Sequence, residues 1–183
     1  LHGPFGEDGT VQGLLELGAV PYVGSGVLAS AAGMDKAAMK ALFAARGLPQ
    51  TPYEVVTHFE WTRDPGAASA RLLALGLPVF VKPANLGSSL GISKVKSAEA
   101  LASALATAFA FDRKAVVEAA VPEPREIECA VLGNDEPEAS VPGEIIPSRE
   151  FYDYEAKYLD AGSQTIIPAA LDAATVARIQ HLS

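Results

Sequence analysis

Apolar positions recur along the chain with two periods, and the changes between them divide it into helices and strands. Val11, Leu14, Leu15 and Leu17 share one helical face that closes at Gly18, with Asp8 or Thr10 placed to cap its start. Pro21-Tyr22-Val23 reads as a short strand, followed by a glycine turn into a helix over 25–32. Met34, Ala38, Leu42 and Ala45 mark the packed face of a helix over 35–46, stopped by Gly47 and Pro49. A strand over 53–57 and an alanine-rich helix over 64–75, closed by Gly76, come next. Val79, Phe80 and Val81 form a continuous apolar run, which suits a strand covered on both faces; Lys82 closes it and Pro83 stops it. A strand returns over 92–95, and Ser97 is placed to cap a helix over 98–109. Strands are expected over 115–118, 126–132 and 139–146, with Gly133-Asn134-Asp135 as the turn between the last two. Asp172 caps a final helix reaching Leu182.

Length and charge narrow this pattern to a class. The 183 residues suffice for one or two domains, and with half of them apolar and a fifth charged the composition is that of a water-soluble globular chain. The net charge of −8, with no basic block, argues against a nucleic-acid surface while leaving room for local positive pockets. A single cysteine, Cys129, excludes a disulfide framework and a cysteine-based zinc site; it reads as a core residue, and a cytoplasmic location is the expectation. No apolar run approaches a membrane span. The opening Leu1-His2-Gly3-Pro4 is neither a signal peptide nor a usual start, so the chain reads as beginning inside a folded unit.

Candidate chemistry concentrates in a few stretches. After the strand ending at Lys82 comes Asn85-Leu86-Gly87-Ser88-Ser89-Leu90-Gly91, a small-residue loop whose backbone and hydroxyl donors can approach an anion, with a lysine beside it. It is not a Walker A loop, since no Gly-Lys-Ser/Thr ends the spacing. Glu118 closes an apolar strand, where a carboxylate needs a reason, and Glu126 and Glu128 open the next. Gly24-Ser25-Gly26-Val27-Leu28-Ala29 matches a dinucleotide fingerprint with its third glycine replaced, although the acidic residue expected further on is missing and a plain turn into a helix accounts for it. Residues 148–158 mix four aromatics with charges and keep neither period, as lids and binding loops do.

Taken together, these blocks resemble the D-alanine–D-alanine ligase family of ATP-grasp enzymes. The resemblance rests on Leu-His-Gly-Pro-Phe-Gly-Glu-Asp-Gly-Thr at 1–10, Pro-Tyr-Val-Gly-Ser-Gly at 21–26 and Met-Asp-Lys at 34–36. Val-Lys-Pro-Ala-Asn-Leu-Gly-Ser-Ser-Leu-Gly-Ile-Ser at 81–93 and Phe-Tyr-Asp-Tyr-Glu-Ala-Lys-Tyr at 151–158 complete it, in the family's order and spacing. It implies an α/β (α+β) fold of ATP-grasp type, with a mixed sheet in a central domain, flanking helices, and the tail of a Rossmann-like domain in front. The implied parsing is 1–33 for the end of the N-terminal substrate domain, 34–146 for the nucleotide-binding domain, 147–162 for a lid and 163–183 for the start of a C-terminal domain.

The resemblance also implies roles. Lys36, Lys82 and Lys157 contact ATP phosphates under a loop of Gly87, Ser88 and Ser89; Glu118 accepts from the adenine amino group beside the backbone near Ala120, and Glu126 holds the ribose. Ser88 and Tyr158 position substrate and join lid to loop, the tyrosine going with D-alanine rather than D-lactate as second substrate, and His2 and Glu7 line the first substrate's pocket. The implied reaction is ATP-dependent joining of two D-alanines through an acyl phosphate, for peptidoglycan synthesis. Two magnesium ions, or manganese, are expected on ligands beyond Ser183, with no metal ligand in this chain, and a homodimer is expected. Three competing readings remain: another ATP-grasp carboxylate–amine ligase, a dinucleotide-binding oxidoreductase built on 24–29, and a nucleotide-binding fragment without catalysis.

Overall fold

A computed structural model describes residues 3–147 and 162–183. Its described elements fall into two compact units, Leu1–Val121 and Pro122–Ser183. The fold is α/β in content, and every strand pairing among the described residues is antiparallel where a mixed sheet was expected.

The first unit opens with helices α1 (Thr10–Leu17), α2 (Val27–Met34) and α3 (Lys36–Ala45). The start of α1 is set by Gly9 at φ 89°, where a Cβ would meet the Val27 carbonyl oxygen at 2.7 Å. Asp8 takes no cap position; its carboxylate accepts instead from the backbone N–H groups of Phe5 and Thr10. The strand expected at 21–23 is absent: these residues run as irregular chain, and Val23 is 99% exposed with no strand edge to pair with. A dinucleotide fingerprint requires a strand feeding its turn, so the oxidoreductase reading of 24–29 fails here. Gly26 simply precedes α2.

The sheet follows the order β1-β4-β2-β3, from β1 (Tyr53–Thr57), β2 (Val79–Pro83), β3 (Ser93–Val95) and β4 (Lys114–Ala119). Strand β2 runs one residue pair further than expected, through Pro83. The N–H groups alternate in direction along a strand; that of Ala84 points to Lys114 on β4, so the missing N–H of Pro83 faces the side where β3 has already ended. One face of the sheet is dry. Val56, Val79, Val81, Val95, Ala115 and Val117 pack there against α5 (Pro65–Leu73) and α6 (Leu101–Phe109), through Leu72, Leu101 and Leu105. A helix absent from the sequence reading, α4 (His58–Arg63), starts on a capping box: Thr57 accepts from the Glu60 N–H while Glu60 reaches back to the Thr57 N–H at 2.8 Å.

In the second unit, β5 (Glu126–Glu128) pairs with β8 (Gly143–Ile146), and β8 with β9 (Gln164–Ile166). A separate ribbon joins β6 (Val131–Leu132) to β7 (Glu138–Ala139). The two long strands expected at 126–132 and 139–146 are therefore each broken. Between the paired positions Glu128–Gly143 and Val131–Ala139, residues 129–130 on one strand face 140–142 on the other, so one strand carries an extra residue and the ladder bulges. Pro142, buried and without an N–H, sits in that bulge, and the Ser140 hydroxyl accepts from the Ala130 N–H at 3.0 Å in place of a ladder bond. Cys129 lies beside it half-buried, not in a core. The last helix, α7 (Ala173–Leu182), is capped as expected by Asp172, which accepts from the Thr175 N–H at 2.9 Å.

Candidate functional site

The face of the sheet opposite the core carries charge. Phe80 and Lys82 alternate outward from β2, and Glu118 stands opposite Phe80 in the β2–β4 register and opposite Tyr53 in the β1–β4 register. Val116, fully buried yet outside the core cluster, is the apolar floor of this face.

Helix α3 crosses above it and brings two lysines one turn apart. Lys40 reaches Glu118 Oε2 at 2.9 Å, while Lys82 pairs with the other oxygen, Oε1. The Lys40 ammonium also lies 4.8 Å from the centre of the Tyr53 ring. Lys36 donates to the Leu86 carbonyl at the mouth of the small-residue loop. Burial alone pushes the Glu118 carboxyl up, but Lys82 and Lys40 outweigh it and hold its pKa below the usual carboxylate range. Burial, then the nearby Lys82 charge, lower Lys36, against the opposing pull of Glu118, Asp112 and Asp35.

The frame under these lysines is tied by Asp35. Its carboxylate caps α3 through the N–H groups of Ala37 and Ala38 at 3.0 and 3.1 Å, and pairs with Lys114 of β4. The Lys36 N–H bonds to the Ala84 carbonyl at 2.9 Å, and the Asn85 N–H to Asp112 at 2.8 Å, so α3, β4 and the start of the loop are fastened together. In the loop itself Ser88 and Ser89 both hold left-handed backbone, φ 54° and 57°, which side-chain-bearing residues adopt at a cost. A Cβ on Gly87 would lie 3.7 Å from the Glu7 carboxylate, which places Glu7 against this loop.

The structure thus brings Lys36, Lys82 and Glu118 into one cluster, and Glu7 to Gly87 beside Ser88 and Ser89. Ala120 lies at the end of β4, with its N–H donated to the Pro78 carbonyl at 3.0 Å. Glu126 belongs to the second unit, on β5 opposite Ile145, and its neighbour Arg125 grips Glu144 with two bonds of 2.7 and 2.6 Å. His2, Lys157 and Tyr158, with most of the lid segment, lie outside the described residues.

Lys40 is the residue the sequence reading missed. The expected packed face of α3 included Leu42 and Ala45, both of which are exposed, whereas Lys40 is only 9% exposed. The signal was its spacing of four from Lys36, which places both ammonium groups on one side of the helix. Lys40 and Lys82 converge on Glu118 with Lys36 nearby, and closely spaced ammonium groups of this kind suit a polyphosphate. Among the described residues no three or more His, Cys, Asp or Glu gather as a metal site, and no helix is long and apolar enough to cross a membrane.

Comparison with known proteins gives the family. Residues 42–183 match the family model described as D-ala D-ala ligase C-terminus, and residues 1–25 match D-ala D-ala ligase N-terminus. The chain is 59% identical over 170 residues to a D-alanine–D-alanine ligase of Geobacillus thermodenitrificans, covering 92% of this chain and 46% of that protein. It is 55% identical over 188 residues to that of Heliobacterium modesticaldum, covering 100% and 50%. The chain therefore spans about half the length of the curated relatives it matches. Among solved structures, the VanG D-Ala:D-Ser ligase from Enterococcus faecalis superposes with a TM-score of 0.85 at 38% identity, covering all of this chain and 52% of that one. The D-alanine-D-alanine ligase from Coxiella burnetii gives 0.83 at 36%, covering 99% and 47%.

Proposed function

The chain belongs to the D-alanine–D-alanine ligase family, and we propose that the protein it forms or is part of joins two D-alanines at the expense of ATP. The observation that supports this most directly is the cluster of Lys36, Lys40 and Lys82 around Glu118 beside the strained Gly87-Ser88-Ser89 loop. In this reading the first D-alanine's carboxylate attacks the γ-phosphorus of ATP, ADP leaves, and an acyl phosphate forms. The second D-alanine's amine attacks that carbonyl, the amine loses a proton, and phosphate departs. The protein has little covalent work to do; positioning and charge neutralisation carry the rate.

Lys36 and Lys82 take the phosphates, with the loop N–H groups and the Ser88 and Ser89 hydroxyls closing over them. Glu118 accepts from the adenine amino group near Ala120, and Glu126 holds the ribose hydroxyls. Glu7 and His2 border the first substrate, and Ser88 with Tyr158 position it and join the lid, to which Lys157 adds a phosphate contact. The parsing into 1–33, 34–146, 147–162 and 163–183 belongs to the same proposal. Magnesium, with manganese as substitute, neutralises phosphate charge in such reactions. The described residues supply no ligand set for it, so no step here is assigned to a metal. A cytoplasmic homodimer feeding peptidoglycan synthesis completes the reading. Another ATP-grasp carboxylate–amine ligase is the specific competitor, and the resemblance of one neighbour named a D-Ala:D-Ser ligase makes the second amino acid the point to test.

The test is phosphate release from ATP by the intact protein with magnesium and D-alanine, D-alanine plus D-serine, L-alanine, or no amino acid. Release with D-alanine alone, yielding the D-alanyl-D-alanine dipeptide, is expected. Release that ignores D-alanine refutes the proposal.

A further inference from the structure

We infer that Lys40 is a positioning residue of the nucleotide site: it anchors one oxygen of Glu118 so that the other is left aimed at the base when Lys82 moves to the phosphates. This rests on the ATP reading above, and no part of the resemblance assigned Lys40 a role.

The two lysines on Glu118 are not equivalent. Lys40 takes Oε2 at 2.9 Å and Lys82 takes Oε1, so each oxygen has its own partner. Lys40 is the more buried of the two, with its side chain 11% exposed against 24% for Lys82. It is held from several sides. Its ammonium faces the Tyr53 ring, its carbonyl accepts from the Gln50 side chain at 2.9 Å, and its helix is capped by Asp35 and fastened to Ala84. Lys82 lies one residue before the end of β2, next to the turn towards the small-residue loop; its side chain is the more exposed of the two, and its ammonium lies 5.7 Å from the centre of the Phe80 ring.

A polyphosphate offers Lys82 a stronger partner than a shared carboxylate does. When Lys82 leaves, Oε1 is released as an acceptor for an exocyclic amino group, while Oε2 stays fixed by Lys40. The charged groups facing Glu118 are then Lys40 and Lys36 from α3, with the Tyr53 ring from β1; Asp35 and Asp112 act on it through Lys36. Without Lys40, burial raises the affinity of Glu118 for a proton, and a protonated carboxyl offers the amino group only a neutral acceptor in place of a carboxylate oxygen. The base contact then weakens as pH falls. A base with a carbonyl at that position, as in GTP, loses nothing.

The experiment is calorimetric titration of the intact protein with ATP and with GTP between pH 5.5 and 8, for the wild type, Lys40→Met, Lys40→Arg, Glu118→Gln and the Lys40→Met/Glu118→Gln pair. The expected result is a wild-type preference for ATP that changes little with pH. Lys40→Met should lose about tenfold of that preference at the acid end, Lys40→Arg should keep most of it, and Lys40→Met should add little to Glu118→Gln. The double variant leaves no buried carboxylate unpaired, so comparing it with Glu118→Gln shows whether Lys40 acts through Glu118 even if Lys40→Met alone folds poorly. An ATP-to-GTP ratio unchanged by Lys40→Met at every pH, or losses that simply add in the pair, overturns the inference and leaves the ligase reading standing. A wild type that binds neither nucleotide removes both.

Discussion

Asp35 shows how one side chain can organise a site without touching a substrate. It caps α3 and it pairs with Lys114, and these two tasks separate experimentally, because asparagine also caps helices but carries no charge. Burial raises the Asp35 pKa, yet the Lys114 bond and the Ala38 and Ala37 N–H groups outweigh it and leave it below the ordinary value. A depressed carboxylate pKa contributes stability above its unfolded value, near 4, and loses it as pH falls through the folded value. Asp35→Asn should therefore be less stable than wild type by about 1 kcal/mol at pH 7, a modest figure because the pair is part-exposed. The gap should be narrower at pH 3, below the unfolded value. Urea unfolding at both pH values checks this, and a gap that widens in acid contradicts it. Gly91 is a second residue-scale case. At φ 70° its missing side chain makes room for Phe111, since a Cβ would stand 2.7 Å from that ring and 2.9 Å from Pro83. Gly91→Ala should cost about 1–3 kcal/mol in the same unfolding assay, through strain and overpacking together. The sequence reading assigned this glycine to ligand approach; its packing against Phe111 is what the structure shows.

At the scale of elements, the capping box on α4 makes the sharpest prediction. Thr57→Ala removes the acceptor for the Glu60 N–H and should cost about 1 kcal/mol, with hydrogen exchange rising first over 58–63. Uniform exchange across the first unit would mean that the box adds nothing local. The motif Thr57-His58-Phe59-Glu60 was present in the sequence, yet an apolar strand pattern running into it hid the start of a helix only six residues long. The helices over 10–17 and 173–182 and the strands over 53–57 and 114–119 were legible because period and stop signals agree there. Strand 21–23 was misread because a three-residue apolar run carries no information about whether a partner edge exists. The breaks at 129–130 and 140–142 were invisible because a bulge depends on register between two strands, which neither strand encodes alone. For the site, Lys36 and Lys82 stood out in the motif blocks, and Glu118 as a carboxylate closing an apolar strand. Lys40 was not, because a lysine on a helix reads as solvent-facing until the carboxylate that draws it in is located.

Across the first unit as a whole, the four-stranded sheet puts the apolar core on one face and the charged cluster on the other. Leu105, fully buried, packs on the dry side with Val79, Val81 and Val117, whereas Lys82 and Glu118 stand on the other. Truncating Leu105 to alanine should destabilise the unit by about 2–5 kcal/mol through lost burial and the cavity left behind. Lys82→Ala should cost little stability, about 1 kcal/mol or less, because Glu118 keeps Lys40 as its partner. Their effects on ATP should run the other way. Below its melting temperature Leu105→Ala should bind ATP within about threefold of wild type, since no strand position on the charged face moves with it, while Lys82→Ala should weaken ATP at least tenfold by removing a phosphate cation. Because a ligand stabilises by mass action on the folded state alone, saturating ATP should raise the melting temperature of Leu105→Ala nearly as much as that of wild type, and that of Lys82→Ala much less. Thermal melts of the intact protein with and without ATP read both quantities at once. If Leu105→Ala forfeits the ATP shift, the two faces are coupled through the strands and the site depends on core packing. If Lys82→Ala keeps the full shift, Lys82 is not a phosphate contact, and its bond to Glu118 is a structural pair that persists when the nucleotide binds.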